Sequence, residues 1–181
     1  MRWLLLVVRL PAEPSRHRVA VWRELRRAGA LSLGQGVWAV PQVGVFTQAL
    51  DRAVQLAQRG DGEAIVLDAT GRTEGDAARL EGLFTDAREA EWAEFLADCA
   101  KYEAELDQEI AKGKFTLAEL EEEEQSVERL RRWHRDLTAR DVFGAPEADE
   151  AARKLKDCAA ACENYAELVF RALHGSREDD R

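Results

Sequence analysis

Near residue 75 the spacing of apolar residues changes for good, and few folds accommodate both sides of that change. Before it, short apolar runs alternate with amphipathic stretches. Residues 3–8 are continuously apolar and the run ends at Pro11, which predicts a buried strand. Ser15 is positioned to cap a helix over about 16–28, stopped by Gly29. On that helix Val21, Trp22, Leu25 and Ala28 share the face expected to pack on a sheet. Residues 31–40 read as strand, kink and strand around Gly34-Gln35-Gly36, and Pro41 ends them. A second helix is predicted over about 46–59, with Phe46, Leu50, Val54 and Ala57 on one side and Gly60 and Gly62 behind it. Residues 63–68 are the next strand, and Gly71 closes the unit. The order β-α-β-β-α-β with two right-handed crossovers gives a four-stranded antiparallel sheet carrying two helices, the ferredoxin-like arrangement.

After residue 75 the strand-like runs stop and the period becomes helical. Leu80, Leu83, Phe84 and Ala87 begin a stripe that Trp92, Phe95, Leu96, Cys99, Leu106 and Ile110 continue, until Gly113. Thr116 with Glu119 three residues on forms a capping box, and Phe115 with Leu120 a hydrophobic staple. Leu117, Leu120, Val127, Leu130, Trp133 and Leu137 line the helix that follows. A break at Phe143-Gly144-Ala145-Pro146 leads to a third helix, lined by Leu155, Cys158, Cys162, Tyr165 and Val169. The expected class is therefore α+β: a ferredoxin-like module over 1–74, an all-α three-helix bundle over 75–175, and a frayed polar tail over 176–181.

Charge divides at the same place. Of 181 residues, 34% are charged and the net charge is −9. Residues 1–74 carry +3, all of the positive charge on Arg, whereas residues 75–181 carry −12. An acidic whole with an Arg-only basic front suggests two modules, the front offered either to the acidic half or to an external anion. A hydrophobic share of 46% argues against disorder. The first apolar run is too short to span a membrane or to serve as a signal peptide, and three unclustered Cys do not make a secreted disulfide framework. A cytoplasmic protein is expected.

Few residues announce chemistry. His17, His134 and His174 lie apart from one another and from the Cys, so no metal site is expected. Cys158 and Cys162, at i and i+4, form a candidate redox pair, but both sit on an apolar stripe where Cys acts as a small hydrophobe; Cys99 reads the same way. The run Glu121-Glu122-Glu123-Glu124 points around its helix and reads as a solvated face. The first predicted helix carries more. Arg16, Arg23 and Arg27 form one stripe with Arg26 beside it, and a guanidinium fork suits phosphate and other oxyanions. Arg18 lies on the apolar side and needs either a carboxylate partner, the favoured reading, or a route to water and an anion. There is no phosphate loop, nucleophile elbow or dinucleotide motif, so no catalytic residue and no cofactor is expected.

These residues together resemble the ChrB family, amino-terminal region. The resemblance rests on Trp3-Leu4-Leu5-Leu6-Val7-Val8, Leu10-Pro11-Ala12, Pro14-Ser15-Arg16, Arg18-Val19-Ala20-Val21-Trp22-Arg23 and Gly36-Val37-Trp38. Gly113-Lys114-Phe115-Thr116, Leu130-Arg131-Arg132-Trp133 and Ala139-Arg140-Asp141-Val142-Phe143-Gly144-Ala145 extend it into the second half. The resemblance implies a part in chromate resistance, commonly transcriptional regulation of a chromate efflux pump, with promoter DNA and chromate or another oxyanion as partners; the regulatory reading adds a homodimer as an expected form. It also implies a further carboxy-terminal domain in the family at large. Arg16, Arg18 and Arg23, with Arg26 and Arg27, are the residues expected to meet DNA phosphate or an oxyanion. The first 74 residues also resemble the module of PaaX-type repressors and of related CRISPR nucleases. The nucleases place an acidic metal ligand at the end of the first strand, where this chain has Arg9 and Leu10. The expectation is a regulatory binding protein and not an enzyme. The alternatives are a protein-protein interaction module of the resistance system and a thiol-dependent chromate-handling enzyme.

Overall fold

The computed structural model describes residues 1–175; the expected tail over 176–181 lies outside the described residues. The elements run β1 (Trp3–Arg9), α1 (Ser15–Ala28), β2 (Leu31–Gly34), β3 (Val37–Pro41), α2 (Gly44–Arg59), β4 (Glu63–Ala69), α3 (Glu74–Lys112), α4 (Leu117–Arg140) and α5 (Ala148–Gly175). The sheet order is β2-β3-β1-β4 and every pairing is antiparallel. This is the ferredoxin-like order, because each of the two βαβ crossovers skips one strand.

The chain forms two compact units. The first comprises Met1–Arg88 with Ala139–Gly144; the second comprises Glu89–Thr138 with the described residues from Ala145 on. The change from mixed to helical structure falls at Glu74, but the units divide at Arg88, because the first turns of α3 belong to the sheet's core. Phe84 is fully buried edge-on against Trp3 at 5.7 Å and Phe46 at 5.9 Å, and Phe143 stacks on Trp3 at 5.9 Å. Around these rings lie Leu6, Val21, Leu25, Trp38, Val40, Leu50 and Ala53.

In the second unit α4 returns along α3, with Phe95 against Trp133 at 5.4 Å and Arg129 beside Asp98 at 3.8 Å. α5 follows α3 in the same direction: Lys154 bonds Glu103 at 2.5 Å, and the Tyr165 hydroxyl donates to the Lys114 carbonyl. Trp92, Phe95, Cys99, Tyr102, Leu106, Val127, Leu130, Leu137, Cys158, Tyr165 and Val169 form one core.

Three local expectations change. Ser15 does not cap α1. Pro14 holds the extended cap position (φ −76°, ψ 141°) and Ser15 is already helical, so no side-chain cap bond forms. The Thr116 cap does form, its Oγ1 accepting from the Glu119 N–H at 3.3 Å, but the Glu119 carboxylate turns to Lys114 instead of completing the box. Leu83 and Leu117, assigned to apolar stripes, remain largely exposed because they lie at the edges of those stripes. Among the described residues no helix is long and apolar enough to cross a membrane.

Candidate functional site

The arginines of α1 divide into two rows. Arg16, Arg23 and Arg27 follow the outward line that their spacing gives. Arg18, Trp22 and Arg26, at i, i+4 and i+8, form a second line along the rim of the helix. Trp22 was expected to pack on the sheet. It is instead 52% exposed, because it stands at the margin of the apolar face next to Arg18 rather than at its centre, which Val21 and Leu25 occupy.

The second row overlooks an open cleft of about 760 Å³ within the first unit. Arg18, Trp22, Val19 and Ser15 line it from the helix, Arg9 from the end of β1, and Ser32, Gln35 and the buried Trp38 from the β2–β3 hairpin. The hairpin is seated by glycine. Gly36 has φ +80°, its carbonyl accepts from the Val8 N–H at 2.9 Å, and a Cβ there would lie 2.3 Å from the Val8 carbonyl oxygen.

The guanidinium groups differ in their partners. Arg27 pairs with Glu24, a carboxylate 8% exposed that also accepts from Arg52 of α2 at 2.5 Å. Arg26 lies over the Trp22 ring, 5.7 Å from its centroid. The Arg16 Nε faces the His17 Nε2 at 3.3 Å. Arg18 and Arg23 have no carboxylate partner among the described residues. Arg18, for which a structural ion pair was the favoured reading, lines the open cleft, and no carboxylate among the described residues pairs with it.

The far end of α1 is fixed by two arginines that sequence reasoning did not single out. The Arg88 Nη1 donates to the Gly29 carbonyl at 2.6 Å, its guanidinium over the Phe84 ring at 4.6 Å, and the Arg140 Nη1 donates to the Arg27 carbonyl at 2.8 Å. Cations suit a helix C-terminus, whose last carbonyls lack partners. Glu24 was missed as well. The only signal for it was its place between Val21 and Leu25 on a face that turns inward.

The thiols of the second unit are arranged otherwise than their spacing suggested. Cys99, Cys158 and Cys162 are free and buried. Cys158 meets Cys99 across the helices, its Sγ 3.7 Å from the Cys99 carbonyl oxygen, and Cys162 meets Tyr102. The hydrogen bond between the two thiols pushes Cys99 up and draws Cys158 down, while burial pushes Cys162 up. Cys158 and Cys162 thus each face a residue of α3, Cys99 and Tyr102, inside the core of the unit. No group of three or more His, Cys, Asp or Glu with metal-binding geometry occurs among the described residues, the glutamates of α4 included.

Sheet order and helices define a ferredoxin-like α+β protein with a helical second unit, its accessible polar cleft on the first helix. The family described as "Protein ChrB, N-terminal" matches residues 18–176, and the chain belongs to the ChrB family. Among curated proteins it is similar to Protein ChrB of Cupriavidus metallidurans (strain ATCC 43123 / DSM 2839 / NBRC 102507 / CH34), 29% identical over 104 residues. The match covers 58% of this chain and 32% of that protein, so the chain spans about a third of the length of the relative it matches.

Proposed function

We propose that this chain is a regulatory binding module of chromate resistance, and not an enzyme, that engages DNA phosphate through α1. Arg18 and Arg23 make the direct contacts, with Arg16 and Arg26 beside them; a free oxyanion such as chromate competes for the same groups. The observation that carries this reading is the set of α1 guanidiniums that have no carboxylate partner among the described residues, two of them flanking an exposed tryptophan. Arg donors left unpaired at a surface suit phosphate contacts, and Trp22 adds a flat apolar face beside them. The net charge of −9 opposes long-range attraction to DNA, so the contact depends on the local +3 of residues 1–74.

The test is fluorescence anisotropy with DNA from upstream of the gene, over a salt series. Binding should weaken steeply with salt. The triple variant Arg18→Ala, Arg23→Ala, Arg26→Ala should lower the slope of log K against log salt by about 0.9 for each phosphate that is no longer neutralised. A wild-type response that is flat in salt, or no binding at low salt, sinks the reading. Chromate added at constant ionic strength separates the oxyanion from the DNA: displacement supports a shared site.

A further inference from the structure

Strand β4 lies at the edge of the sheet. Its seven residues pair with β1 without interruption, from Trp3↔Ala69 to Arg9↔Glu63, and its other edge has no strand beside it among the described residues. An edge strand presents a row of unpaired N–H and C=O groups, and proteins usually blunt it with Lys, Pro, a bulge or a cover. β4 has none of the first three: Ala64-Ile65-Val66-Leu67 is uncharged, free of Pro and in regular register. It is also apolar and open on both faces, with Ile65 57% and Leu67 49% exposed on one and Val66 41% exposed on the other.

The geometry points to β4 as a self-association edge: it pairs antiparallel with β4 of a second copy about a two-fold axis at Val66, giving a continuous eight-stranded sheet. The choice of a second copy rests on how the strand reads against itself. With the axis at Val66, Ile65 faces Leu67, Glu63 faces Ala69 and Asp68 faces Ala64, so each carboxylate meets an alanine. Centred on Ile65, the pairing would set Glu63 against Leu67; centred on Leu67, it would set Asp68 against Val66. Directly opposed residues must point to the same face, so a two-fold axis cannot fall between residues. The Val66 register also gathers Ile65 and Leu67 of both copies into one apolar patch and removes the unpaired edge from both. This inference does not depend on the anion-binding reading.

Light scattering coupled to size exclusion tests it on the full chain. The wild type should run at twice the monomer mass across a concentration series, and Val66→Lys should halve that mass while circular dichroism and thermal melting stay as in the wild type. Val66→Cys should form a covalent dimer without reductant, because the residue faces its own copy and the native thiols are buried, whereas Glu63→Cys should not. This second pair of variants decides the matter even where Val66→Lys fails to fold. A monomeric wild type at every concentration, a dimer that survives Val66→Lys in a folded protein, or cross-linking at 63 and not at 66 overturns the proposal.

Discussion

Glu24 shows how one buried carboxylate sets the bearing of a helix. It is 8% exposed, yet it holds Arg27 on its own helix and Arg52 on α2, both of which reach it from water. Because the partners are largely solvated, the two ion pairs together are worth little more than one good hydrogen bond. Glu24→Gln should lower the unfolding free energy by about 1 kcal/mol in chemical denaturation. His134 gives a pH-dependent counterpart. It lies against Trp92 and Phe95 at 5.3 and 5.6 Å, and burial holds its pKa below the ordinary 6.5. The unfolded chain therefore binds the proton more readily than the folded one. The contribution of His134 is fully present above pH 6.5 and is lost as the pH falls below that value toward the depressed one. Urea titrations of wild type and His134→Phe between neutral and mildly acidic pH should converge or diverge only in that window. A difference that stays constant with pH counts against the account.

At the scale of elements, α4 carries both a device that stabilises it and one that opposes it. Thr116 caps its first turn, and Thr116→Ala should cost about 1 kcal/mol, read as a lower melting temperature. Glu123, half-buried, has its pKa raised by burial first and then by Glu105, Glu109, Glu119 and Glu122. A carboxylate with a raised pKa penalises the folded state wherever it is ionised. Glu123→Gln should therefore raise the melting temperature at neutral pH, and the gain should fade on acidification and vanish below the ordinary value of 4.5. The elements themselves were readable from the chain: period and punctuation place the strands and helices within a few residues of where they lie. Less of the site could be read. The arginines of α1 were visible as a set, but a helical wheel cannot say whether a residue at the margin of an apolar face, such as Trp22, turns inward or stands in a cleft. Cys99 and Cys158 meet across two helices 59 residues apart in sequence, a pairing that spacing within one helix cannot express.

For the whole molecule, the main surprise is the membership of the first unit. The helical period of α3 runs unbroken through Phe84, so nothing in the pattern marks the point where its neighbours change from sheet to helices. Phe84→Ala should remove the ring that Trp3, Phe46 and Phe143 surround, at about 3–5 kcal/mol, and melt the sheet's β-signal before the bulk of the helical signal. Loss of both signals together at an unchanged midpoint would contradict that assignment.

The same ring has a practical corollary for anyone who wishes to graft the arginine-bearing helix into another protein. A segment cut after Glu74 carries every strand yet leaves behind Phe84, Arg88, Arg140 and Phe143, and with them the lid on Trp3 and the two donors that hold the Gly29 and Arg27 carbonyls. Those residues come from two stretches separated by fifty others. The sheet module is thus discontinuous in the gene, and a transplant needs a designed splice between about Arg88 and Ala139 rather than a simple excision.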